Sequence, residues 1–577
     1  MDEILKNAYV VGAERVSAWS DLLDAINVFP VADGDTGRNL AISLTPLRQA
    51  GDEREALTRK LLLAARGNSG NIASQFFSAF SAAQSLYDLA AAAQEGNVRA
   101  WKAIADPKPG TMLTVFDALE DVLWRENFSP DEAGVRRILD RLKQAVAQTY
   151  DLLPKLKEAG VVDAGALGMY IFFEGFFRTL AGAADGYRPV TEIFKGRLQI
   201  DPSFQREAAS GYCVDFVIQA DAGASKDLAN IVSAQESAVV IGDGNLYKIH
   251  LHTDDRDIIK SRLAALGTVV NWEDDNLSVQ MKAFAAEADV PGLHILTDAA
   301  GSLTRDDAKR WGFTLLNSYL NVGEKSLPET CFHPEDLYRA MREGVKVSTS
   351  QSSVFERHEY YAAALARFEK VLYLCVGSVF TGNYQVACDW KKTHDPENRL
   401  IVVDTGAASG RLGIMVLAAV RFLAESRNAE KTLTFVRKAV AAAEEYVFLE
   451  KLEYLAAGGR LSKTSAFFGD MLKMKPVISP QPEGAKKVGV VRNRRDQIKM
   501  AMDKLQAGLS KESRALVMLE YSDNVEPVLD IRDRVAGLYP KAEIVMQPLS
   551  LTSGAHMGPG TWGIAFLNLD QTMDDRA

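Results

Sequence analysis

Asn27-Val28-Phe29-Pro30-Val31-Ala32-Asp33-Gly34-Asp35-Thr36-Gly37-Arg38-Asn39 interrupts a stretch of chain that otherwise reads as helix. On either side, Ala- and Leu-rich segments repeat apolar residues at three and four spacing, as at residues 61–65, 72–86 and 135–153. From residue 8 to about residue 180 almost nothing reads as a strand. Three more polar, glycine-bearing loops punctuate the same region: Arg66-Gly67-Asn68-Ser69-Gly70, Pro109-Gly110-Thr111 and Asp163-Ala164-Gly165. The pattern predicts an all-α domain that offers loops to a ligand.

In residues 27–39 two carboxylates flank one glycine, and an amide stands six residues before the first. Hard oxygens this close suit Mg2+, which takes carboxylates, phosphate oxygens and water. Asp-Gly and Thr-Gly are equally the chemistry of an ordinary turn. The 65–70 loop precedes a helix expected to begin near Ile72, so its free N–H groups could receive a phosphate or serve as a helix cap. Together the three loops suit a nucleoside triphosphate. No G-x-x-x-x-G-K-[ST] occurs, which excludes a standard P-loop kinase.

The segments NVFPVADGDTGRN, ARGNSG, PGTMLTV and GVVDAGALG resemble the ATP-binding domain shared by the DhaL subunit of dihydroxyacetone kinase and the fatty acid kinase catalytic subunit, over about residues 5–180. The Asn-x-Phe-Pro-Val lead-in is closer to the latter. The resemblance implies an eight-helix barrel holding Mg-ATP, with Asn27, Asp33 and Asp35 around magnesium. It puts Thr36, Asn39, Asn68, Ser69 and Gly70 on phosphate, Thr111 and Met112 near adenine, and Asp163 and Gly165 closing the site. Ala32 and Arg38 stand where the family often shows Pro and Thr, so a hydroxyl contact at position 38 is not carried over.

Residues 182–211 lose the helical period and gather Gly, Pro and Asp, which predicts a linker. Beyond it the period turns to two at residues 212–218 and 247–252, with helical residues 225–234 and 256–266, predicting a small α/β module. His250 and His252 alternate on one strand and therefore share a face. With Cys213 they could bind Zn2+, catalysis then requiring an open fourth position, or they are two ordinary histidines on an exposed edge. GYCVDFVI and YKIHLHTDD, followed by Gly267 and residues 276–280, resemble the middle domain of the fatty acid kinase catalytic subunit. That resemblance implies Cys213, His250 and His252 as a metal-binding or catalytic cluster.

A second break at residues 285–292 opens a rhythm of short apolar runs, at 293–296, 371–376, 400–403 and 515–519, alternating with helices. It predicts a mostly parallel sheet whose strand-end loops form a ligand crevice. Hydroxyls near Thr349 and Ser378, an arginine and a histidine could hold a carboxylate there, though each loop alone is ordinary turn chemistry. Leu296-Thr297-Asp298, Val347-Ser348-Thr349-Ser350-Gln351, Thr381-Gly382-Asn383-Tyr384-Gln385, Leu452-Glu453-Tyr454-Leu455 with Gly458-Gly459-Arg460, and His556-Met557-Gly558-Pro559-Gly560 resemble the DegV family over about residues 292–570. The resemblance implies a long-chain fatty acid with its tail between two α/β subdomains. Its carboxylate would meet Thr349, Ser350, Ser378, Gly382, Arg460 and His556; Phe467, Phe468, Met471, Leu472 and Met474 are apolar residues that could line the tail or form plain core.

Composition sets the frame. At about 150 residues per domain, 577 residues suggest three or four domains; the segments above divide as 1–190, 205–287 and 292–572. Apolar residues at 47% and charged residues at 25% are globular usage, and a net charge of −10 argues against nucleic acid as a partner. Four dispersed cysteines, no basic-apolar leader and no apolar run long enough to span a bilayer predict a soluble cytoplasmic protein. The reading is a fatty acid kinase fused to its lipid-binding partner, with Asp33, Asp35, His250 and His252 catalytic, ATP and Mg2+ as cofactors and Zn2+ at the cysteine–histidine set. By resemblance, the helical domain pairs into a homodimer and an acyltransferase acts downstream. The alternatives are a kinase of dihydroxyacetone or a related polyol, and a non-catalytic lipid carrier or sensor.

Overall fold

A computed structural model describes residues 2–573 other than 50–53, 105, 126–127, 184–185, 206–210, 234, 279–291, 324 and 458–473. The chain divides into two compact units, Met1–Ala286 and Glu287–Ala577.

The first unit begins with α1 (Glu3–Ala18), α2 (Ser20–Ala25), α3 (Thr36–Ser43), α4 (Arg54–Ala64), α5 (Gly67–Phe80), α6 (Leu89–Lys102), α7 (Met112–Arg125), α8 (Glu132–Leu152), α9 (Pro154–Ala159) and α10 (Ala164–Leu180). In α10 every residue except Arg178 is buried, so this helix is apolar all round and acts as a central post. Helices α1, α3, α7 and α8 pack on it, while α7 meets α6, α6 meets α5 and α5 meets α3, closing the layer. Phenylalanines fill the interior: Phe76 stacks on Phe116 at 3.9 Å, and Phe77 meets Phe172 at 4.4 Å. Pro154 at the start of α9 and the left-handed Gly160 at its end make the sharp turns that return the chain to α10.

The segment expected as a linker instead lies on this helical layer as far as Asp201. Val162 donates to the Arg197 carbonyl (3.1 Å), Asp201 donates to that of Ala159 (2.9 Å), and Arg197 covers the Tyr150 ring at 3.6 Å. Its glycines and prolines mark turns around the short α11 (Val190–Ile193) rather than a free tether.

The rest of the first unit is β1 (Tyr212–Ala220), α12 (Ser225–Ser233), β2 (Glu236–Asp243), β3 (Leu246–Thr253), α13 (Arg256–Ala264) and β4 (Gly267–Asn276). The strands form an antiparallel sheet in the order β2-β3-β1-β4. Alternation sorts its faces. Val214, Phe216, Ile218, Ile249 and Leu251 pack with Leu228, Ile259 and Leu263 of the two helices. Cys213, Asp215, Lys248 and His250 occupy the alternate positions, and Asp215 bonds to α5.

The second unit holds a parallel four-stranded sheet, β11-β10-β5-β6, from β5 (His294–Asp298), β6 (Phe313–Leu316), β10 (Val371–Cys375) and β11 (Leu400–Asp404). A small antiparallel sheet orders β8 (Lys325–Pro328), β7 (Tyr319–Val322) and β9 (Val347–Ser350). The fourth apolar run, residues 515–519, departs from the expected parallel sheet. It lies in β15 (Ala515–Tyr521) of a six-stranded sheet, β14-β13-β12-β17-β15-β16, where only β15 and β16 (Ala542–Pro548) are parallel. The other members are β12 (Glu444–Phe448), β13 (Lys475–Gln481), β14 (Gly484–Val491) and β17 (Trp562–Asn568). A continuous apolar run arises here because both faces are covered. Leu516 and Met518 belong to one core with the Ser409–Ser426 helix, and Val517 and Leu519 to another with Val528, Ile531 and Leu505.

Candidate functional site

The two carboxylates of the 27–39 loop are held differently. Asn27 Nδ2 donates to Asp33 Oδ1 at 2.7 Å, and both residues are buried. Gly34 takes φ +66° between the two acids, a turn that favours glycine. Asp35 occupies the N-cap of α3, yet its side chain makes no capping bond, so the carboxylate is left to face elsewhere. Gly37 lets α3 lie against α2: a Cβ there would stand 2.0 Å from the Ser20 carbonyl oxygen.

Helix α5 starts at Gly67, five residues before Ile72, so Asn68, Ser69 and Gly70 form its first turn rather than an approach to it. Arg66, at the N-cap, supplies no side-chain bond to that turn. Asp215 of β1 does so instead: Gly67 N–H donates to Oδ2 (2.9 Å) and Asn71 Nδ2 to Oδ1 (3.3 Å). Lys248 Nζ at 3.2 Å and His250 Nδ1 at 3.1 Å complete the surroundings of Asp215. Burial alone would raise the pKa of this carboxyl, but Lys248, His250 and the Gly67 N–H outweigh it and hold the group well below the usual range. Arg66 is itself paired, with Glu273 and with Asp275 at 3.3 Å on β4.

Cys213, His250 and His252 place one ligand atom each within 4.8 Å of one another. A tetrahedral zinc site needs about 3.3–3.8 Å between ligand atoms, so small side-chain rotations would close the set. Cross-strand register explains the meeting: Cys213 stands opposite His252, and Asp215 opposite His250. Burial, then the fields of Asp215, Asp35 and Asp33, push the Cys213 thiol up. Burial, reinforced by His250, lowers His252 to about 4.

One cavity of about 430 Å3 collects these groups. Asn27, Asp33, Asp35, Thr36, Asn39, Asn68, Ser69, Thr111, Met112, Asp163, Gly165, Cys213, His250 and His252 all line it. The donors expected for magnesium and those expected for zinc therefore share a single space. Gly70 does not line the cavity; its role is close packing, since a Cβ would sit 2.0 Å from Ser43 Oγ. Asn68 Oδ1 and His250 Nε2 are buried with no hydrogen-bond partner among the described residues, and both belong to cavity-lining side chains. Asp163 caps α10 by accepting from Ala166 (2.7 Å), and burial raises its carboxyl to about 7. Sequence reasoning missed Lys108, a cation on the wall paired with Asp106 at 2.8 Å, although it lies one residue before the Pro109-Gly110-Thr111 loop. It also missed Asp215, which carried no local signal because its partners are 148 and 35 residues away.

In the second unit, Thr349 Oγ1 and His556 Nε2 meet at 3.1 Å, joining two of the residues expected at a lipid carboxylate. Ser350 is exposed on β9. Ser378 follows β10, its N–H bound to Asp404 at 3.0 Å, and Gly382 caps the Asn383–His394 helix. Asp298 of the Leu-Thr-Asp motif fixes that loop from below, accepting from Arg357, Asn383, Tyr373 and the Val376 N–H. Arg460, Phe467, Phe468, Met471 and Leu472 lie outside the described residues, and Met474 is exposed.

Three family models match consecutive segments: the DAK2 domain at residues 30–178, the FakA-like middle domain of fatty acid kinase at 209–284, and the uncharacterised DegV family at 292–569. An uncharacterised protein of Staphylococcus saprophyticus is 29% identical over 318 residues, 50% of this chain and 57% of that protein. Protein YloV of Bacillus subtilis is 28% identical over 314 residues, 49% of this chain and 56% of that protein. The chain thus spans little more than half the length of these curated relatives. Among solved structures, a fatty-acid-binding DegV family protein from Thermus thermophilus is 27% identical with a TM-score of 0.45, covering 48% of this chain and 99% of that one. The Streptococcus pneumoniae Fatty Acid Kinase (Fak) B3 protein loaded with linoleic acid is 14% identical with a TM-score of 0.42, at 48% and 99% coverage. No helix among the described residues is long and apolar enough to cross a membrane.

Proposed function

We propose that this chain, which carries in order a DAK2 domain, a FakA-like middle domain and a DegV-family segment, is a fatty acid kinase. It moves the γ-phosphoryl group of ATP to the carboxylate of a long-chain fatty acid, giving acyl phosphate and ADP. The observation that carries this reading is the single cavity holding the Asp33/Asp35 loop, the first turn of α5 and the cysteine–histidine cluster. The fatty acid enters through the DegV match and the Thr349–His556 pair, which suits a carboxylate acceptor.

A fatty acid carboxylate is already ionised near neutral pH, so no strong base is needed and positioning with charge neutralisation must supply the rate. The donor chemistry fits magnesium: Asp33 and Asp35 offer hard oxygens, Asn27 fixes Asp33, and Asp35 has no helix-capping duty. When bound, magnesium would supply positive charge against that of the phosphates. Asn68 and Ser69, on the first turn of α5, would hold the phosphates, with Lys108 as a further cation. Met112, Leu113 and Ile72 give the cavity an apolar wall for the base. Cys213, His250 and His252 form a sulfur and nitrogen set suited to zinc, which metal analysis of the purified chain would detect.

The reading extends to a cytoplasmic homodimer formed through the helical domain, checked by sedimentation, and to an acyltransferase as consumer of the reactive acyl phosphate. The deciding test is ADP release with Mg-ATP and a long-chain fatty acid, dihydroxyacetone, or neither. Release that requires the fatty acid is expected. Release only with dihydroxyacetone transfers the site to a polyol substrate, and none with either leaves a lipid carrier.

A further inference from the structure

The start of α5 raises a problem that its own sequence does not solve. The first N–H groups of a helix need acceptors, normally from a Ser, Thr, Asp or Asn at the N-cap. Arg66 occupies that position and gives none. The acceptor comes from Asp215, on a strand of the sheet domain 148 residues away. Its two oxygens are shared out: Oδ2 takes the Gly67 N–H at 2.9 Å and His250 Nδ1 at 3.1 Å, while Oδ1 takes Lys248 Nζ at 3.2 Å and Asn71 Nδ2 at 3.3 Å. Asp215, Lys248 and His250 are all buried.

An ionised carboxylate can only accept, so the hydrogen in the Asp215–His250 contact belongs to His250 Nδ1. In the neutral ring the lone pair is then on Nε2, the atom buried without a partner on a residue that lines the cavity. One carboxylate thus sets both where the first turn of α5 begins and which nitrogen of His250 is presented to the ligand space. We propose that Asp215 is the positioning residue of this site: it touches no substrate, but couples the phosphate-facing turn of α5 to the Nδ1–H tautomer of His250. The site's identity as a phosphoryl-transfer centre rests on the kinase reading above; the hold of Asp215 on His250 does not.

The test is nitrogen NMR of the histidine-labelled full chain, which holds seven histidines, with His250→Gln used to assign the His250 ring. Asp215→Ala alone would strand the Lys248 charge, so the working variant is Asp215→Ala with Lys248→Met, which removes the acceptor of His250 Nδ1 and the buried cation together. With no acceptor left at Nδ1, the ring should fall back on the Nε2–H form that a free imidazole prefers. We expect Nδ1–H in the unaltered chain, Nε2–H in the double variant, a lowered melting temperature because the Gly67 N–H loses its acceptor, and a kcat lowered roughly 10–100-fold, the range for removing such orienting partners. An Nε2–H ring in the unaltered chain, or an Nδ1–H ring retained in the variant, overturns the proposal. If the variant does not fold, the unaltered chain's tautomer decides alone. A tautomer switch in a chain that forms no ADP with any substrate sinks the kinase reading and leaves the hold of Asp215 on His250 standing.

Discussion

Asp33 and Asp35 differ in what they are free to do, and that difference makes them separable. Asp33 is tied to Asn27, whereas Asp35 stands at a helix start without capping it. Asp33→Asn or Asp35→Asn removes a hard anionic oxygen from the cavity while leaving the second unit untouched. ADP formation should fall by at least about 100-fold, the scale of losing one charge-stabilising group, while fatty acid binding measured by fluorescence displacement is unchanged. Unaltered turnover would sink the magnesium assignment. Glu329 offers a test of a different kind. Its buried carboxyl is raised from 4.5 to about 7 chiefly by desolvation, against N–H bonds from Thr552 and Ser318. A raised folded-state pKa means that the folded chain holds the proton more tightly, so the stabilisation is complete below about 4.5 and is lost as pH rises through about 7. At about 1.4 kcal/mol per unit, the ceiling is about 3 kcal/mol. Melting of the second unit followed from pH 5 to 8 should therefore drift downward, and Glu329→Gln should flatten the drift. Because Thr552 lies on the helix that carries His556, the same variant reports whether that helix stays seated.

At the scale of elements, the decisive contact is α3 lying on α2. A Cβ at Gly37 would meet the Ser20 carbonyl at 2.0 Å, and a backbone atom cannot rotate away as a side chain can. Gly37→Ala should cost roughly 1–3 kcal/mol through overpacking and should weaken Mg-ATP binding, since Thr36 and Asp35 move with α3. Calorimetry and nucleotide titration check both, and an unshifted melting curve would show that α3 can slide freely. Much of this architecture was legible in the chain because its signals are local. The apolar periodicity of α8, the all-round apolarity of α10 and the alternation of β1 and β3 each come from residues within one element. The cavity loops were legible for the same reason, as turns with distinctive glycine and acid spacing. What escaped depends on distant partners. β4, which the period-two runs did not include, carries Glu273-Asp274-Asp275; two of these acids pair with Arg66, and the strand is held by its pairing with β1. The start of α5 was misjudged because its cap resides on β1. The apolar run of β15 suggested a parallel strand, whereas it reflects burial between two cores in a mostly antiparallel sheet.

For the whole molecule, the question is what joining the two units in one polypeptide changes. On the proposed kinase reading, a lipid carrier and a kinase that were separate proteins would meet by diffusion, and turnover would depend on their concentrations. Covalent joining makes that encounter intramolecular, at an effective concentration that reaches the millimolar range when the connection is short enough and spans the sites. At micromolar protein, transfer within a chain would then outrun transfer between chains by a factor on the order of 1,000. Turnover per chain should accordingly be independent of protein concentration. A mixing experiment separates the routes more sharply. A chain bearing Asp33→Asn keeps the second unit intact and loses the proposed kinase site; a chain bearing Thr349→Ala and His556→Ala loses the hydrogen-bonded pair proposed for the carboxylate and keeps the proposed kinase site. Each should be inactive alone, and an equimolar mixture should recover less than about a tenth of normal ADP formation if each lipid unit serves its own kinase site. Recovery approaching half would mean that the lipid unit of one chain serves the kinase site of another. In that case, recovery that falls away on dilution would mark an encounter by diffusion, and recovery that persists would mark exchange inside a stable oligomer.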